Sequence, residues 1–439
     1  MHLSRYLKIF PFPPEPEYRL LFCTKNSAMA LLPEADCRQL QSGVIPEQYA
    51  ETLAELGMVT ADPEQERREV FTLLAEVNRV DTGLNVSIIL GLACNFSCQY
   101  CYEGSMKDGR AMGHDTVNQM VSFLKQRYAS RGKDRLTLDF YGGEPLLYTE
   151  TIKNIATPLK QFVEERGGAF HFSLVTNGSL LTRDAVTELL PAGLYAAKVT
   201  VDGPADVHNR LRPFTSGKPS FEIILANISA CADLIRIGFG GNYTSENYGR
   251  VGELLDCLVQ YGIRADNLSL VQFHPVMQTT DRHSNPEFTG GCLSVDEPWV
   301  AEASITVRGQ ILERGYHTPR ISPSPCMVDM EDAFVINHDG SLYKCVAMIG
   351  HAAYAAGDVW SGFSSSDGVY HPGRWQDHQE CRECAYLPLC FGGCRHMEFQ
   401  RTGTMNNVNC MRNFYDRVLP DTVRQDACFL RVEPGEPGD

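Results

Sequence analysis

An apolar run at 86–92 is followed at once by Cys94, Cys98 and Cys101, three thiols at C-x3-C-x2-C spacing. β-Branched Val86, Ile88 and Ile89 mark the run as a buried strand, which puts the thiols on the loop leaving its C-terminal end. Such a loop can wrap one cluster. Three thiolates on a four-iron cubane hold three irons and leave the fourth without a protein ligand, where a fully structural iron–sulfur site uses four cysteines. An open iron invites a small-molecule ligand. Three cysteines of a zinc site, or three buried thiols, are the other readings of this spacing.

At this spacing, directly after a strand, the stretch resembles the signature of radical S-adenosylmethionine (radical SAM) enzymes. The resemblance implies a [4Fe–4S] cluster whose open iron binds the amino and carboxylate groups of S-adenosyl-L-methionine. One electron then cleaves the sulfonium to a 5′-deoxyadenosyl radical.

With 439 residues the chain is too long for one small core, so two or three domains are expected. A net charge of −15 argues against nucleic-acid binding, which needs clustered Lys and Arg, and leaves room for a basic peptide partner. Arg5, Lys8 and the prolines between Pro11 and Pro16 interrupt any secretory apolar segment, and no run is long enough to span a bilayer. The 16 cysteines therefore read as metal ligands in a reducing cytoplasm rather than as disulfides.

Along the chain, Leu20, Leu21 and Phe22, a turn at 25–27 and an apolar stretch at 28–32 read as a hairpin. Helices are expected at 35–41 and 47–56, with a strand returning at 58–59. This unit resembles the winged-helix elements that precede peptide-modifying radical enzymes and pair a strand edge with a leader peptide. A plain N-terminal cover is the alternative. The opening residues 1–10 also look like those of geopeptide-type maturases. Residues 62–79, rich in Glu and Arg, read as a linker helix.

From Val86 onward strands expected at 136–140, 170–175, 195–201, 236–242 and 268–273 alternate with helices at 116–127, 151–165, 184–190, 221–234 and 248–261. Six strand–helix units in series predict an α/β chain with a partial (β/α)6 TIM-like barrel. Its site belongs at the C-terminal ends of the strands. The expected division is a recognition-like unit at 1–62, a linker helix at 63–84, the radical SAM domain at 85–285, a bridging region at 286–325, a cysteine-rich domain at 326–416 and a tail at 417–439. Residues 361–373 read as a loop and 433–439 as a frayed end.

The second strand ends in Gly142-Gly143-Glu144-Pro145, where glycines let a ligand approach the backbone and a carboxylate can accept from an ammonium. It resembles the GGE motif that holds the methionyl amino group. Asn177 in Thr176-Asn177-Gly178 and Thr200 with Asp202 in Thr200-Val201-Asp202-Gly203-Pro204 resemble segments lining the ribose and carboxylate. Thr200 stands where a serine is more usual. His208 and Arg212 repeat an H-x3-R spacing of sulfatase-maturase-like members, with Arg212 suited to the methionyl carboxylate and His208 read as a helix-start hydrogen-bonder. Tyr100 matches the aromatic position that touches adenine. Asn242 and His274, at strand ends, face the cavity in roles the sequence does not assign.

A second cysteine field follows: Cys326, Gly340 and Cys345 across a hairpin, then Cys381-x2-Cys384-x5-Cys390-x3-Cys394 and Cys410. Zinc would suit the C-x2-C pair. The order and spacing resemble the SPASM domain, which carries auxiliary [4Fe–4S] clusters. The resemblance implies a first auxiliary cluster on Cys326, Cys345 and Cys394 and a second on Cys381, Cys384, Cys390 and Cys410. Several relatives place a fourth ligand just before Cys326, where this chain has no cysteine. Cys292 could reach in as a substitute; the alternative is a free thiol there, with one iron open or held by another residue or by substrate. In sulfatase-maturating relatives an aspartate follows the equivalent of Cys345 and acts as base; Val346 stands there.

The expected activity is therefore that of a radical SAM/SPASM maturase of a ribosomally synthesised precursor peptide, forming a thioether or other crosslink, an epimerised residue or a decarboxylated terminus. A flavodoxin or ferredoxin would supply the electron. A sulfatase-maturase-like enzyme, a noncatalytic zinc-binding protein and a cofactor-binding partner without turnover are the alternatives.

Overall fold

The structure, a computed structural model, describes residues 1–107, 109–278, 287–364 and 374–429. Positions 365–373 of the expected loop and the expected end at 433–439 lie outside the described residues. The chain opens with β1 (His2–Leu3), β2 (Leu7–Pro11), β3 (Tyr18–Cys23), β4 (Met29–Pro33), α1 (Glu34–Gln41), α2 (Ala50–Glu55) and β5 (Val59–Thr60). β2, β3 and β4 form an antiparallel sheet with β3 in the middle, and β5 returns to pair with β1. The hairpin and both helices follow their apolar pattern. β2 does not announce itself, because Lys8 interrupts its apolar run; its ammonium lies 4.1 Å from the Tyr386 ring centroid.

α3 (Pro63–Val80) starts at Asp62, whose carboxylate accepts from the backbone N–H groups of Glu64 and Gln65 at 2.9 and 3.0 Å. Then come β6 (Gly83–Ile89), α4 (His114–Ser130), β7 (Arg135–Tyr141), α5 (Thr149–Glu164), β8 (Ala169–Thr176), α6 (Arg183–Leu189), β9 (Leu194–Thr200), α7 (Ala205–Leu211), α8 (Phe221–Cys231), β10 (Arg236–Tyr243), α9 (Val251–Leu258) and β11 (Leu268–Pro275). β6 to β11 lie side by side in chain order, all parallel. Leu136, Leu138 and Phe140 on β7 and Phe172 and Leu174 on β8 are buried in one core with Leu124 of α4 and Ile155 and Leu159 of α5. Between them Ser173 hydrogen-bonds Asp139 on the sheet's other, polar face. One apolar and one polar face make an open partial barrel rather than a filled one.

The sheet runs past the expected boundary at residue 326. After α10 (Pro298–Glu313), β12 (Ala333–Ile336) joins β6 as a seventh parallel strand, with Phe334 opposite Val86. β13 (Ser341–Tyr343), β14 (Gly357–Asp358) and β15 (Gly362–Phe363) extend it antiparallel. The cysteine-rich segment adds α11 (Gln379–Arg382), α12 (Leu387–Cys390) and α13 (Arg395–Thr402). A single helix, α14 (Arg412–Phe429), then crosses position 416, where a tail was expected to begin. Pro420 inside it disguises the helical pattern, yet Val418, Leu419, Thr422, Val423 and Asp426 form one buried stripe. Arg308 of α10 pairs with Asp426 in this interface.

The N-terminal sheet is wedged between these parts. Leu21 and Cys23 share a core with Leu40, Leu53, Trp375 and Phe391, whereas Leu20 and Phe22 on the opposite face pack with Leu389, Leu419 and Val423. Trp375 is fully buried, with Phe71 of α3 edge-on at 5.2 Å. Trp375→Ala should therefore lower stability by about 3–5 kcal/mol. Urea denaturation with limited proteolysis of the first 62 residues checks this: unfolding at lower urea and faster cleavage there are expected.

Candidate active site

The first cysteine loop, the glycine turn and the motifs at Asn177, Thr200, Asn242 and His274 lie at the C-terminal ends of β6 to β11, and the register brings those ends level. Ile89 stands opposite Tyr141, Phe140 opposite Leu174, Thr176 opposite Val199, Thr200 opposite Gly240 and Asn242 opposite His274. Above them lies a cavity of about 480 Å³, within the usual range for a small-molecule site. Cys94, Cys98 and Cys101 line it together with Tyr100, Gly142, Gly143, Asn177, Thr200, Arg212, Asn242 and His274. Glu144, Pro145 and Asp202 are buried behind that wall.

The cysteine loop is held from two sides. Phe96 is buried against Phe214 at 4.8 Å, while the N–H groups of Ser97 and Gln99 donate to the carbonyls of Pro213 and Leu211 at 2.9 and 3.0 Å. Asn177 grips the other side, its Nδ2 donating to Asn95 Oδ1 at 2.8 Å. Burial pushes all three thiols above their ordinary range, so a cation is needed to hold them as thiolates. Three thiols on one wall with no fourth among them suit a cubane with an open iron.

The glycine turn touches the same loop. Gly143 has φ +40°, and a Cβ there would fall on the Ala93 carbonyl; Gly142 has φ +83°, and its Cβ would press into Ile89. The bare backbones thus make room for the protein as well as for a ligand. Glu144 faces inward and accepts from Thr176 Oγ1 at 2.7 Å and from the N–H groups of Asn177 and Leu146 at 2.9 and 3.1 Å. It braces β7 to β8.

Tyr100, Asp202, Arg212 and Asn242 form one buried network. The Tyr100 hydroxyl donates to Asp202 and accepts from Arg212 Nη1 at 2.8 Å and Asn242 Nδ2 at 3.1 Å. Asp202 also accepts the Asn242 backbone N–H at 2.9 Å. Arg212 Nε is buried with no hydrogen-bond partner, so this cation on the cavity wall has capacity left for an anion. His208 lies inside α7 rather than at its start, with Nδ1 accepting from the Asp202 N–H at 3.2 Å and Nε2 3.1 Å from Ser220 Oγ. Burial and Arg212 push it down to about 3, and burial and Lys198 push His274 down to about 4.

Several wall residues carry no motif. Tyr102 and Tyr141 meet hydroxyl to hydroxyl at 3.1 Å, and Glu103 Oε2 accepts the Gly143 N–H at 2.9 Å. Burial raises Glu103 above the usual carboxylate range, against the pull of the Gly143 N–H and Lys107. Position was the available signal, since Tyr102 and Glu103 directly follow Cys101 and Tyr141 directly precedes the glycines. Ala347 and His396 of the second cysteine field also line the cavity, and no sequence pattern foretells them.

In that field Cys326 and Cys394 lie close enough to Cys345 to raise its proton affinity, and Cys384 and Cys410 do the same for Cys381 and Cys390. Burial is the larger effect and pushes Cys345 up to about 12 and Cys381 up to about 11. Cys292, in a β-bridge with Met277, is buried with Glu297 and Tyr243 among its neighbours. Among the described residues no three His, Cys, Asp or Glu side chains converge on a single-ion position. A cubane asks for no such convergence, because each thiolate binds a different iron.

Comparison with known proteins agrees with this geometry. The Radical SAM superfamily model matches residues 88–258. A serine-type anaerobic sulfatase-maturating enzyme of Bacteroides thetaiotaomicron is 23% identical over 71% of this chain and 82% of its own length. Native anSMEcpe with bound AdoMet superposes with a TM-score of 0.60 at 15% identity, covering 79% of this chain and all of that one. Streptococcus suis SuiB bound to precursor peptide SuiA gives 0.55 at 14%, covering 93% and 98%. Residues 88–258 carry a radical SAM domain, and the chain is an enzyme. Its cofactors are a [4Fe–4S] cluster and S-adenosyl-L-methionine, and its relatives include anaerobic sulfatase-maturating enzymes.

Two outcomes follow from the packing. Gly143→Ala should cost about 2 kcal/mol or more, through the left-handed φ and the collision with Ala93, and should lower the melting temperature. His208 stays neutral in the fold down to about pH 3 while an unfolded histidine protonates near 6.5. The unfolded chain thus binds more protons across that window, and stability falls with falling pH by up to about 1.4 kcal/mol per unit for this group. Urea midpoints from pH 6.5 to 5 should fall less steeply in His208→Gln than in the parent.

Proposed function

We propose that this chain is a radical SAM maturase that modifies a ribosomally synthesised peptide held between two cysteine fields. One observation carries the reading: the cavity bearing Cys94, Cys98 and Cys101 is also lined by Ala347 and His396, which stand two residues after Cys345 and Cys394. Bound at the first three thiols, the cluster and S-adenosylmethionine supply a 5′-deoxyadenosyl radical that abstracts hydrogen. Arg212 offers its guanidinium to the methionyl carboxylate, Gly142 and Gly143 form the floor beneath the amino-acid end, and Thr200, Asn177 and Tyr100 line the nucleoside. Two auxiliary clusters, on Cys326, Cys345 and Cys394 and on Cys381, Cys384, Cys390 and Cys410, would accept the electron left on the substrate or anchor it.

The N-terminal sheet supports a peptide substrate. β4 is an edge strand, and its Leu31 is 40% exposed, so an extended segment can add to it through main-chain hydrogen bonds. The thiol-rich composition fits a reducing cytoplasm with a flavodoxin or ferredoxin as donor. No described helix is long and apolar enough to cross a membrane. Likeness to sulfatase-maturating enzymes favours a second reading, but Val346 opens a short turn packed among Met348, Tyr343 and Ile349, so the position after Cys345 offers no carboxylate.

Anaerobic reconstitution tests the proposal. About twelve irons per chain, with 5′-deoxyadenosine on adding reductant and S-adenosylmethionine, are expected. Joint replacement of Cys94, Cys98 and Cys101 by Ala should leave about eight irons and abolish 5′-deoxyadenosine. Cleavage that survives this change would refute the role given to the loop. Conversion of a Cys- or Ser-containing sulfatase peptide would favour the second reading.

A further inference from the structure

We propose that Glu103, rather than Glu144 of the glycine turn, is the carboxylate that receives the α-ammonium of S-adenosyl-L-methionine. The inference deepens the reading of the cavity as a cofactor site and rests on it. Glu144 has turned its back on the cavity: both oxygens are engaged by Thr176, Leu146 and Asn177, and it forms no part of the wall. Its charge is spent on bracing two strands. Glu103 stands on the wall itself, 4% exposed, two residues beyond Cys101.

Its Oε2 accepts the Gly143 N–H at 2.9 Å, which fixes the carboxylate over the turn expected to hold the amino group. Its Oε1 is 3.4 Å from the Tyr102 hydroxyl, a long contact. An ionised carboxylate accepts about four hydrogen bonds, so these two partners leave capacity for an ammonium. Desolvating such a group is costly without a cation. Lys107, also on the wall, donates to the Phe96 carbonyl at 3.4 Å and is the competing cation.

The zwitterionic end of the cofactor needs one site of each sign. Arg212, with its buried unpartnered Nε, is the positive one. Glu103 on the cysteine-loop side is the negative one. The pair would orient the amino-acid end by charge before any iron contact forms.

The test compares two uncleaved ligands on the anaerobically reconstituted full chain. S-adenosylhomocysteine carries the ammonium and carboxylate; 5′-methylthioadenosine keeps the nucleoside and thioether without them. The ratio of their dissociation constants, measured by equilibrium dialysis within one preparation, is independent of the folded fraction, and the variants are compared at matched iron content. Glu103→Gln should shrink the parent's preference for S-adenosylhomocysteine about tenfold, and Glu103→Asp should shrink it less. Glu144→Gln should leave the ratio as it is and lower the melting temperature. An unchanged ratio in Glu103→Gln, as expected if Lys107 satisfies the carboxylate, would overturn the assignment, and so would a collapsed ratio in Glu144→Gln. A parent protein with no preference between the ligands would overturn the cofactor-site reading beneath it.

Discussion

The cysteine loop and the glycine turn can share one site because nothing larger than hydrogen projects from residue 143 toward the Ala93 carbonyl. That backbone contact, reinforced by the Glu144 N–H donating to Ala93 at 3.0 Å, sets the separation of the β6 and β7 loops. Everything above the sheet inherits this spacing. Glu144 carries it to β8 through Thr176 and Asn177, and Asn177 returns it to the cysteine loop through Asn95. The circuit of loop, turn, strand end and loop is closed by polar groups buried together. Each partner is satisfied by the next, which lets so much polarity sit at the end of a sheet without loss of stability.

A second circuit, Tyr100 with Asp202, Arg212 and Asn242, meets the first at the cavity. The two differ in purpose. In the first the charges are consumed internally, so it behaves as scaffold. In the second Arg212 keeps a donor unspent, the kind of local incompleteness expected where a ligand completes the structure.

Much of this was legible in the chain because the signals were local. A β-branched run before three spaced cysteines marks a strand and its loop, and each later motif sits just past an apolar strand. The direction of Glu144 was not legible, since a carboxylate beside two glycines reads equally well facing in or out. Nor was the seventh parallel strand: Ala333 to Ile336 looks like half of a hairpin, and nothing local says that it also pairs with β6 more than 240 residues earlier. α14 hid behind Pro420, and β2 behind Lys8, whose ammonium is stabilised by an aromatic face far along the chain. Local pattern reports what a segment prefers; these four features depend on what arrives opposite it.

The sandwiching of β3 has a consequence for how the protein is made. Leu20 and Phe22 pack with Phe12 and, from the far end of the chain, with Leu389, Leu419 and Val423, which leave the ribosome roughly 400 residues later. At a synthesis rate of about 5–20 residues per second the nascent chain carries that apolar face without its late cover for tens of seconds. The face is closed only when α14 arrives with Leu419 and Val423.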